Sequence, residues 1–116
     1  MRKKVRIHYD NKNNFANPIL WAWTQGTGSI EREFFPLGQD NYGIYYDVIL
    51  NRSSFNFKFK DKKGEHTIWE DDNSNRFYSA NLGGEIWCKA NWHNIYTVQP
   101  AQPQGDIMIF MLELKR

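Results

Sequence analysis

The sequence is poor in the residues that mark several common protein classes. Its single cysteine, Cys88, excludes an intrachain disulfide. The longest apolar run, residues 107–112, has the length of one strand and falls far short of the ~20 residues of a membrane helix. Proline is sparse, and no window of ten residues has the periodicity of an amphipathic helix. A disulfide-stapled, a membrane-spanning and a helical protein are therefore all disfavoured.

A strong charge of one sign is also missing. The 116 residues include 15 Lys and Arg against 13 Asp and Glu, for a formal net charge of +2. The basic residues alternate with acidic ones except at residues 2–4 and 58–63. A domain that grips a phosphate backbone usually has a basic patch or stripe, so nucleic acid is not the first expectation. The length predicts one domain over residues 1–116.

Aromatic residues are abundant instead, at 16% of the chain. Phe55, Phe57 and Phe59 alternate with polar residues, which is the period of a half-buried strand. Residues 61–64 read as a hairpin turn after that strand. About seven to eight short strands separated by turn residues indicate an all-β sandwich or barrel. The strand candidates are residues 5–9, 19–23, 42–50, 55–59, 68–69, 84–89, 95–98 and 107–114.

Two tryptophans lie two positions apart on the second predicted strand. Alternation places Trp21 and Trp23 on one face and Leu20 and Ala22 on the other. A tryptophan pair on a strand often belongs to the core, but Leu20 and Ala22 suit a core layer better. The loop that follows is too small to cover two indoles. We therefore predict a solvent-facing pair of rings about 6.5–7 Å apart, spaced to stack on neighbouring sugar rings.

A sugar also needs hydrogen-bonding partners for its hydroxyl groups. Carboxylates, amides and ammonium groups supply them. Residues 69–76 combine a third indole, Trp69, with a dense polar set that includes Asp71 and Asn75. A turn-rich solvated loop explains part of this composition. A tryptophan at its start must nevertheless pack on something, so we include Trp69, Asp71 and Asn75 in the candidate carbohydrate-binding site.

Several short motifs occur in a fixed order along the chain: V-R-I-H-Y at residues 5–9, L-W-x-W at 20–23, D-x-Y-G at 40–43, R-F at 76–77, and E-I-W at 85–87 followed by I-Y at 95–96. This ordered set resembles the α-glucan-binding modules of pullulanases, carbohydrate-binding module family 41. The resemblance implies an immunoglobulin-like antiparallel β-sandwich. It also implies that the tryptophan pair, here Trp21 and Trp23, stacks on successive glucose rings.

The loop departs from this family. Where the family has a Lys and an Asp that bind glucan hydroxyls, the chain has Glu70 and Asn75. An amide can still contact two hydroxyls, but a glutamate cannot donate as a lysine does. Trp69 has no counterpart in the family. A tryptophan followed by Asp and Asn also occurs in starch-binding modules of family 25, so Trp69 is expected to add a platform.

The predicted function is non-catalytic binding of α-1,4-glucan, such as starch, glycogen, pullulan or maltooligosaccharides. By resemblance, the module is fused to or associated with an amylolytic catalytic domain and is secreted. No apolar segment of a signal peptide follows the basic start, which leaves a cytoplasmic protein open. We expect a monomer without cofactor, metal, nucleic acid or membrane partner. The alternatives are a β-barrel that binds single-stranded nucleic acid through Lys58, Lys60, Lys62 and Lys63, and a protein-interaction domain.

The remaining candidates for chemistry are weaker. Trp87 is expected in the core, and Trp92, in a predicted turn, is expected to be exposed with an undefined role. Cys88 and His93 are too few ligands for a zinc site. Cys88 also lacks a recognisable base and reads as a buried thiol. A chain of this size offers no cleft for a glycosidase carboxylate pair, so we predict no catalytic residue.

Overall fold

The structure, a computed structural model, describes residues 3–101. This part of the chain forms ten strands and two 3-10 turns, Asp72–Ser74 and Ala80–Leu82. Within it, no helix is long and apolar enough to cross a membrane. The strands are β1 (Lys3–Tyr9), β2 (Pro18–Trp23), β3 (Glu31–Phe34), β4 (Gly38–Gln39), β5 (Ile44–Leu50), β6 (Ser54–Lys63), β7 (His66–Trp69), β8 (Arg76–Ser79), β9 (Glu85–Cys88) and β10 (Ile95–Tyr96).

The strands form two facing sheets, which confirms the predicted β-sandwich. The first sheet has the order β10-β9-β1-β5-β4. The second has the order β3-β2-β6-β7, and β8 pairs with the same flank of β6 as β7. One pair departs from the predicted antiparallel pattern, because β1 runs parallel to β9. The short strands β3, β4 and β8 are not among the predicted ones, and the predicted strand at residues 107–114 lies outside the described residues.

The core is built by the alternation that the sequence shows. Val5, Ile7 and Tyr9 of β1 point inward from the first sheet. Phe55, Phe57 and Phe59 of β6 point inward from the second. The rings of Tyr9 and Phe59 stack across the sandwich, with centroids 3.7 Å apart. The aromatic excess is therefore divided between this core and the outer surfaces.

The predicted hairpin turn at residues 61–64 is wrong in its position. Strand β6 continues to Lys63, and the turn is made by Gly64 and Glu65, with Gly64 at φ 59°. Asp61 lies inside the strand and is buried. Its carboxylate accepts hydrogen bonds from the backbone N–H groups of Ala16 (3.2 Å) and Asn17 (2.8 Å). Asp61, which the sequence assigns to a turn, therefore anchors the loop before β2.

A buried ion pair connects the two sheets. Glu70 and Arg76 are both buried and make a two-pronged contact, with both N–O distances 2.8 Å. The carboxylate also accepts hydrogen bonds from the Tyr9 hydroxyl (3.0 Å) and from the backbone N–H groups of Phe59 and Asn91 (2.9 Å each). The pair thus holds β1, β6, the loop after β7 and the turn after β9 together.

The charge of Arg76 is kept by this pairing. Burial by itself lowers the pKa of the guanidinium, but the hydrogen bonds from Arg76 to Glu70 raise that pKa above its ordinary value. Arg76 also donates to the Lys89 carbonyl (2.9 Å), and its guanidinium lies 5.1 Å from the Phe59 ring centroid. Removing either partner would leave an uncompensated buried charge.

We expect Glu70→Gln to lower the free energy of unfolding by about 3–5 kcal/mol, because it leaves the Arg76 guanidinium buried without a counter-charge. Urea unfolding followed by tryptophan fluorescence measures this loss. The matched control is Glu65→Gln at the exposed hairpin turn. A loss below about 1 kcal/mol for Glu70→Gln, similar to that of the control, would contradict the role assigned to the pair.

Candidate functional site

The outer face of the second sheet carries the predicted tryptophan pair. Leu20 and Ala22 of β2 are buried in the core. Trp21 and Trp23 lie on the opposite face and are half-buried. The strand therefore has the orientation that its sequence predicted, with its small and aliphatic residues inward and its indoles outward.

The spacing of the two indoles differs from the prediction. Their ring centroids are 4.4 Å apart and the ring planes are inclined by 25°, so the rings stack on each other. The predicted separation of about 6.5–7 Å is the distance between alternate Cα atoms on one strand. It is wrong for the rings, because the side chains lean together and bury apolar surface between them. The pair forms one aromatic block rather than two separate platforms.

Trp69 joins this block from the other side of β6. The ring centroids of Trp69 and Trp21 are 5.2 Å apart, and the two ring planes are inclined by 70°. Trp69 is 41% exposed and lies opposite Lys60 in the strand register. Two rings inclined in this way form the walls of a corner. The resulting open concavity has a volume of about 380 Å³ and is lined by Trp21, Trp23, Lys58, Trp69 and Asn75.

The two lysines beside the indoles have different environments. Lys60 is buried and forms an ion pair with Glu33, with Nζ and Oε2 2.6 Å apart. Its Nζ lies 5.0 Å from the Trp69 ring centroid, so it packs beneath that indole. Lys58 lines the concavity, 5.8 Å from the same ring. Within residues 3–101, Lys58 has no carboxylate at ion-pair distance, so its ammonium group is available to a ligand.

Lys58 was not among the site residues predicted from the sequence. A signal for it existed, since it alternates with the inward-facing Phe57 and Phe59. It therefore had to lie on the outer face of β6. What the sequence could not show is that β6 pairs with β2, which places Lys58 directly opposite Trp21. In the sequence, Lys58 belongs to the basic run at residues 58–63, which suggested contacts with phosphate groups.

The polar loop contributes fewer side chains to the concavity than predicted. Asn75 lines it, whereas Glu70 is buried in the ion pair with Arg76 and cannot reach a ligand. Asp71 is exposed but is not part of the lining. Its carboxylate accepts a hydrogen bond from the backbone N–H of Asn73 (3.1 Å) and so caps the 3-10 turn.

The expectation that Trp87 belongs to the core is wrong. Trp87 is half-buried on the outer face of the first sheet, since its neighbours Ile86 and Cys88 point inward. It stacks on His8 with ring centroids 4.9 Å apart and an angle of 7°. His8 Nε2 lies 2.7 Å from a carboxylate oxygen of Glu85, which fixes the imidazole beneath the indole. This aromatic pair faces away from the concavity.

Two other residues with reactive potential have ordinary settings. Cys88 is fully buried, and this burial raises the pKa of its thiol to about 12, so the thiolate is not formed at neutral pH. Trp92 is 38% exposed in the turn after β9, and its ring lies 4.5 Å from that of His93. Neither residue lines the concavity.

The chemistry of the concavity is that of recognition. Its lining offers aromatic surface from three indoles, hydrogen-bond donors from the Lys58 ammonium, and both a donor and an acceptor from the Asn75 amide. These groups match a ligand that combines a flat apolar face with hydroxyl groups. The lining includes no carboxylate among the described residues, whereas glycoside hydrolysis by the common route needs two.

A comparison with protein families gives a match over most of the chain. A family model described as bacterial pullanase-associated domain matches residues 3–97, which include all ten strands and the whole tryptophan face. No curated protein matches the chain. The match makes the chain a carbohydrate-associated accessory module of the kind found with pullulanases. On this evidence, the chain belongs to the bacterial pullanase-associated domain family.

Proposed function

We propose that the concavity on the second sheet binds α-1,4-linked glucan. The observation that carries this proposal is the convergence of three indoles, the Lys58 ammonium and the Asn75 amide on one open surface. Membership of the pullanase-associated family supports a carbohydrate ligand in general. Starch, glycogen, pullulan and maltooligosaccharides all present the α-1,4-linked glucose units that such a surface would accept.

The physical basis is stacking of pyranose rings on indole. The C–H groups of a pyranose carry a slight positive charge, and the face of an aromatic ring is negative. Contact also removes apolar sugar surface from water. The rings of Trp21 and Trp69 are inclined by 70°, so they would contact a glucan from two directions. An α-1,4-glucan is curved, and a corner accommodates a curved chain better than a flat strip does.

Lys58 would supply the hydroxyl contact that the loop lacks. The related modules have a loop lysine where this chain has Glu70, and Glu70 is buried. Lys58 reaches the same concavity from β6 and carries three donors. The Asn75 amide would take the place of the aspartate of those modules. The site would then keep the same kinds of contact while drawing one of them from a strand instead of the loop.

The role of such binding is to hold an enzyme near its polymer. Each site gives a modest affinity, because it is shallow and open to solvent. A tethered catalytic domain still gains, because a polymer with many sites raises the effective concentration of substrate around it. We therefore propose an association with an amylolytic enzyme, in line with the family.

The structure weakens the case for nucleic acid as the ligand. Lys60, one of the four lysines considered as phosphate contacts, is buried and neutralised by Glu33. Asp61 interrupts the same run and is buried as well. Of the four lysines, Lys58, Lys62 and Lys63 then remain for phosphate contacts, whereas a domain that binds a phosphate backbone usually has a larger basic patch or stripe.

We expect Trp21→Ala to weaken maltoheptaose binding by about tenfold or more, because Trp21 contacts both other indoles. Isothermal titration calorimetry measures the affinity. Trp87→Ala, which removes a half-buried indole from the other sheet, is the matched control and should bind normally. Equal affinity of the Trp21 variant and the wild type would contradict the proposed site.

We expect Trp69→Ala to weaken maltoheptaose binding only in part. This change removes one wall of the corner but leaves the stacked pair of Trp21 and Trp23 in place. The affinity should fall by a smaller factor than for Trp21→Ala in the same titration. If Trp69→Ala binds as tightly as the wild type, the third indole is not part of the site.

We expect Lys58→Met to weaken binding by about tenfold, the effect of losing a hydrogen bond from a charged group. Lys62→Met, on the same face of β6 but outside the concavity, should have no effect. The wild-type affinity should change little between low and high salt, because the ligand is neutral. A steep loss of affinity with salt, or tight binding of a single-stranded oligonucleotide, would instead indicate a phosphate ligand.

A further inference from the structure

A second concavity lies where the loop between β2 and β3 meets β6 and β8. It is lined by polar side chains that include Gln25, Thr27 and Asn56, together with the aromatic ring of Phe77. Its volume is about 270 Å³. None of these residues is among the sequence-predicted site residues, and the proposed glucan site does not use them.

Phe77 lies on the outer face of the second sheet, in β8, a strand that the sequence patterns did not predict. Arg76 and Tyr78 of β8 point inward and are buried, so Phe77 between them points outward, where it is 57% exposed. Asn75, two residues earlier, lines the tryptophan concavity. Asn75 therefore contributes to the first concavity and Phe77 to the second. Residues two apart in an extended segment are about 6.5–7 Å apart.

The strand register ties the two concavities together. Trp23 of β2 lies directly opposite Asn56 of β6, and Asn56 lies directly opposite Phe77 of β8. Residues paired across a sheet share a face. Trp23 and Phe77 are therefore two strand spacings apart, about 10 Å, with an amide between them.

The loop between β2 and β3 completes the second concavity. The Arg52 guanidinium donates to the Gly28 carbonyl (2.8 Å), and Thr24 Oγ1 accepts a hydrogen bond from the backbone N–H of Ile30 (2.9 Å). Gly26 and Gly28 adopt φ values of 88° and 75°, which glycine allows without strain. These two hydrogen bonds tie the loop to Arg52 and close it at its base.

Two polar side chains of this loop remain open to a ligand. In the part of the chain that the structure describes, the Gln25 amide and the Thr27 hydroxyl have no hydrogen-bond partner. Together with Asn56 they can contact hydroxyl groups beside an aromatic platform. The same combination, a ring flanked by amides and hydroxyls, is what a second sugar unit would need.

We infer that this second concavity is an extended glucan subsite in which Phe77 stacks on a sugar ring beyond those held by the tryptophans. The inference rests on the proposed function, because the glucan chain bound at Trp21, Trp23 and Trp69 is what continues across Asn56 to Phe77. It names a substrate preference, since only oligosaccharides long enough to span both concavities gain from Phe77. Chain length, not the identity of the sugar, decides occupancy of this subsite.

The test compares Phe77→Ala with the wild type in calorimetric titrations of maltotriose and maltoheptaose. We expect the variant to lose about threefold to tenfold in affinity for maltoheptaose and nothing for maltotriose. Phe35→Ala is the matched control, because Phe35 is 61% exposed but borders a different groove. Equal thermal unfolding midpoints would show that the variants are folded.

A measurement on the unmodified protein gives a second readout. In NMR titrations, maltoheptaose should shift the backbone amide signals of Gln25, Thr27 and Phe77, whereas maltotriose should shift those around Trp21 alone. This readout stands even if Phe77→Ala fails to fold.

The possible results separate the inference from the function on which it rests. If the wild type binds both sugars and Phe77→Ala affects neither, or affects both equally, the extended subsite is wrong and the tryptophan site stands. Maltoheptaose shifts confined to the tryptophan face would also overturn the subsite. If the wild type binds neither sugar, the proposed function fails and the subsite fails with it.

Discussion

The buried contact between Glu70 and Arg76 is the constraint on which the tryptophan face depends. The two residues close the polar loop at its base, where the chain leaves β7 and enters β8. Trp69, the last residue of β7, immediately precedes Glu70, and Asn75 immediately precedes Arg76, so the pair anchors the chain next to two residues that line the concavity. A pair of charges in the core is a costly way to stabilise a fold, since hydrophobic residues of similar size often do as well. Here the pair also determines which residues reach the surface.

The alternation of apolar and polar residues in the sequence predicted most of the fold and the face on which the site lies. It placed the phenylalanines of β6 in the core and the indoles of β2 outside, and both placements are confirmed. The prediction for Trp87 is wrong because it rested on hydrophobicity, although its neighbours Ile86 and Cys88 already fill the inward positions. Applied strictly, the alternation would have predicted the observed face.

What the sequence could not supply was proximity between strands. Lys58 and Trp21 are 37 positions apart by residue number, and only the pairing of β2 with β6 makes them neighbours. The stacking of Trp21 on Trp23 depends on side-chain torsions, which Cα spacing does not determine. The burial of Glu70 was equally hidden, because a Glu within a run of Asp and Asn residues resembles a solvated loop. The general chemistry of the site was predictable, whereas its members and geometry required the three-dimensional arrangement.

The parallel pairing of β1 with β9 has a consequence for how the domain acquires its structure. Arg6 to Tyr9 pair with Glu85 to Cys88, so most of the described sequence lies between the two paired segments. Contacts between residues so distant in sequence slow folding, because the intervening chain must be ordered before they form. The opening strand can therefore complete its sheet only after β9 has left the ribosome. Until then, one edge of β1 stays without its partner and presents unpaired backbone groups to other chains.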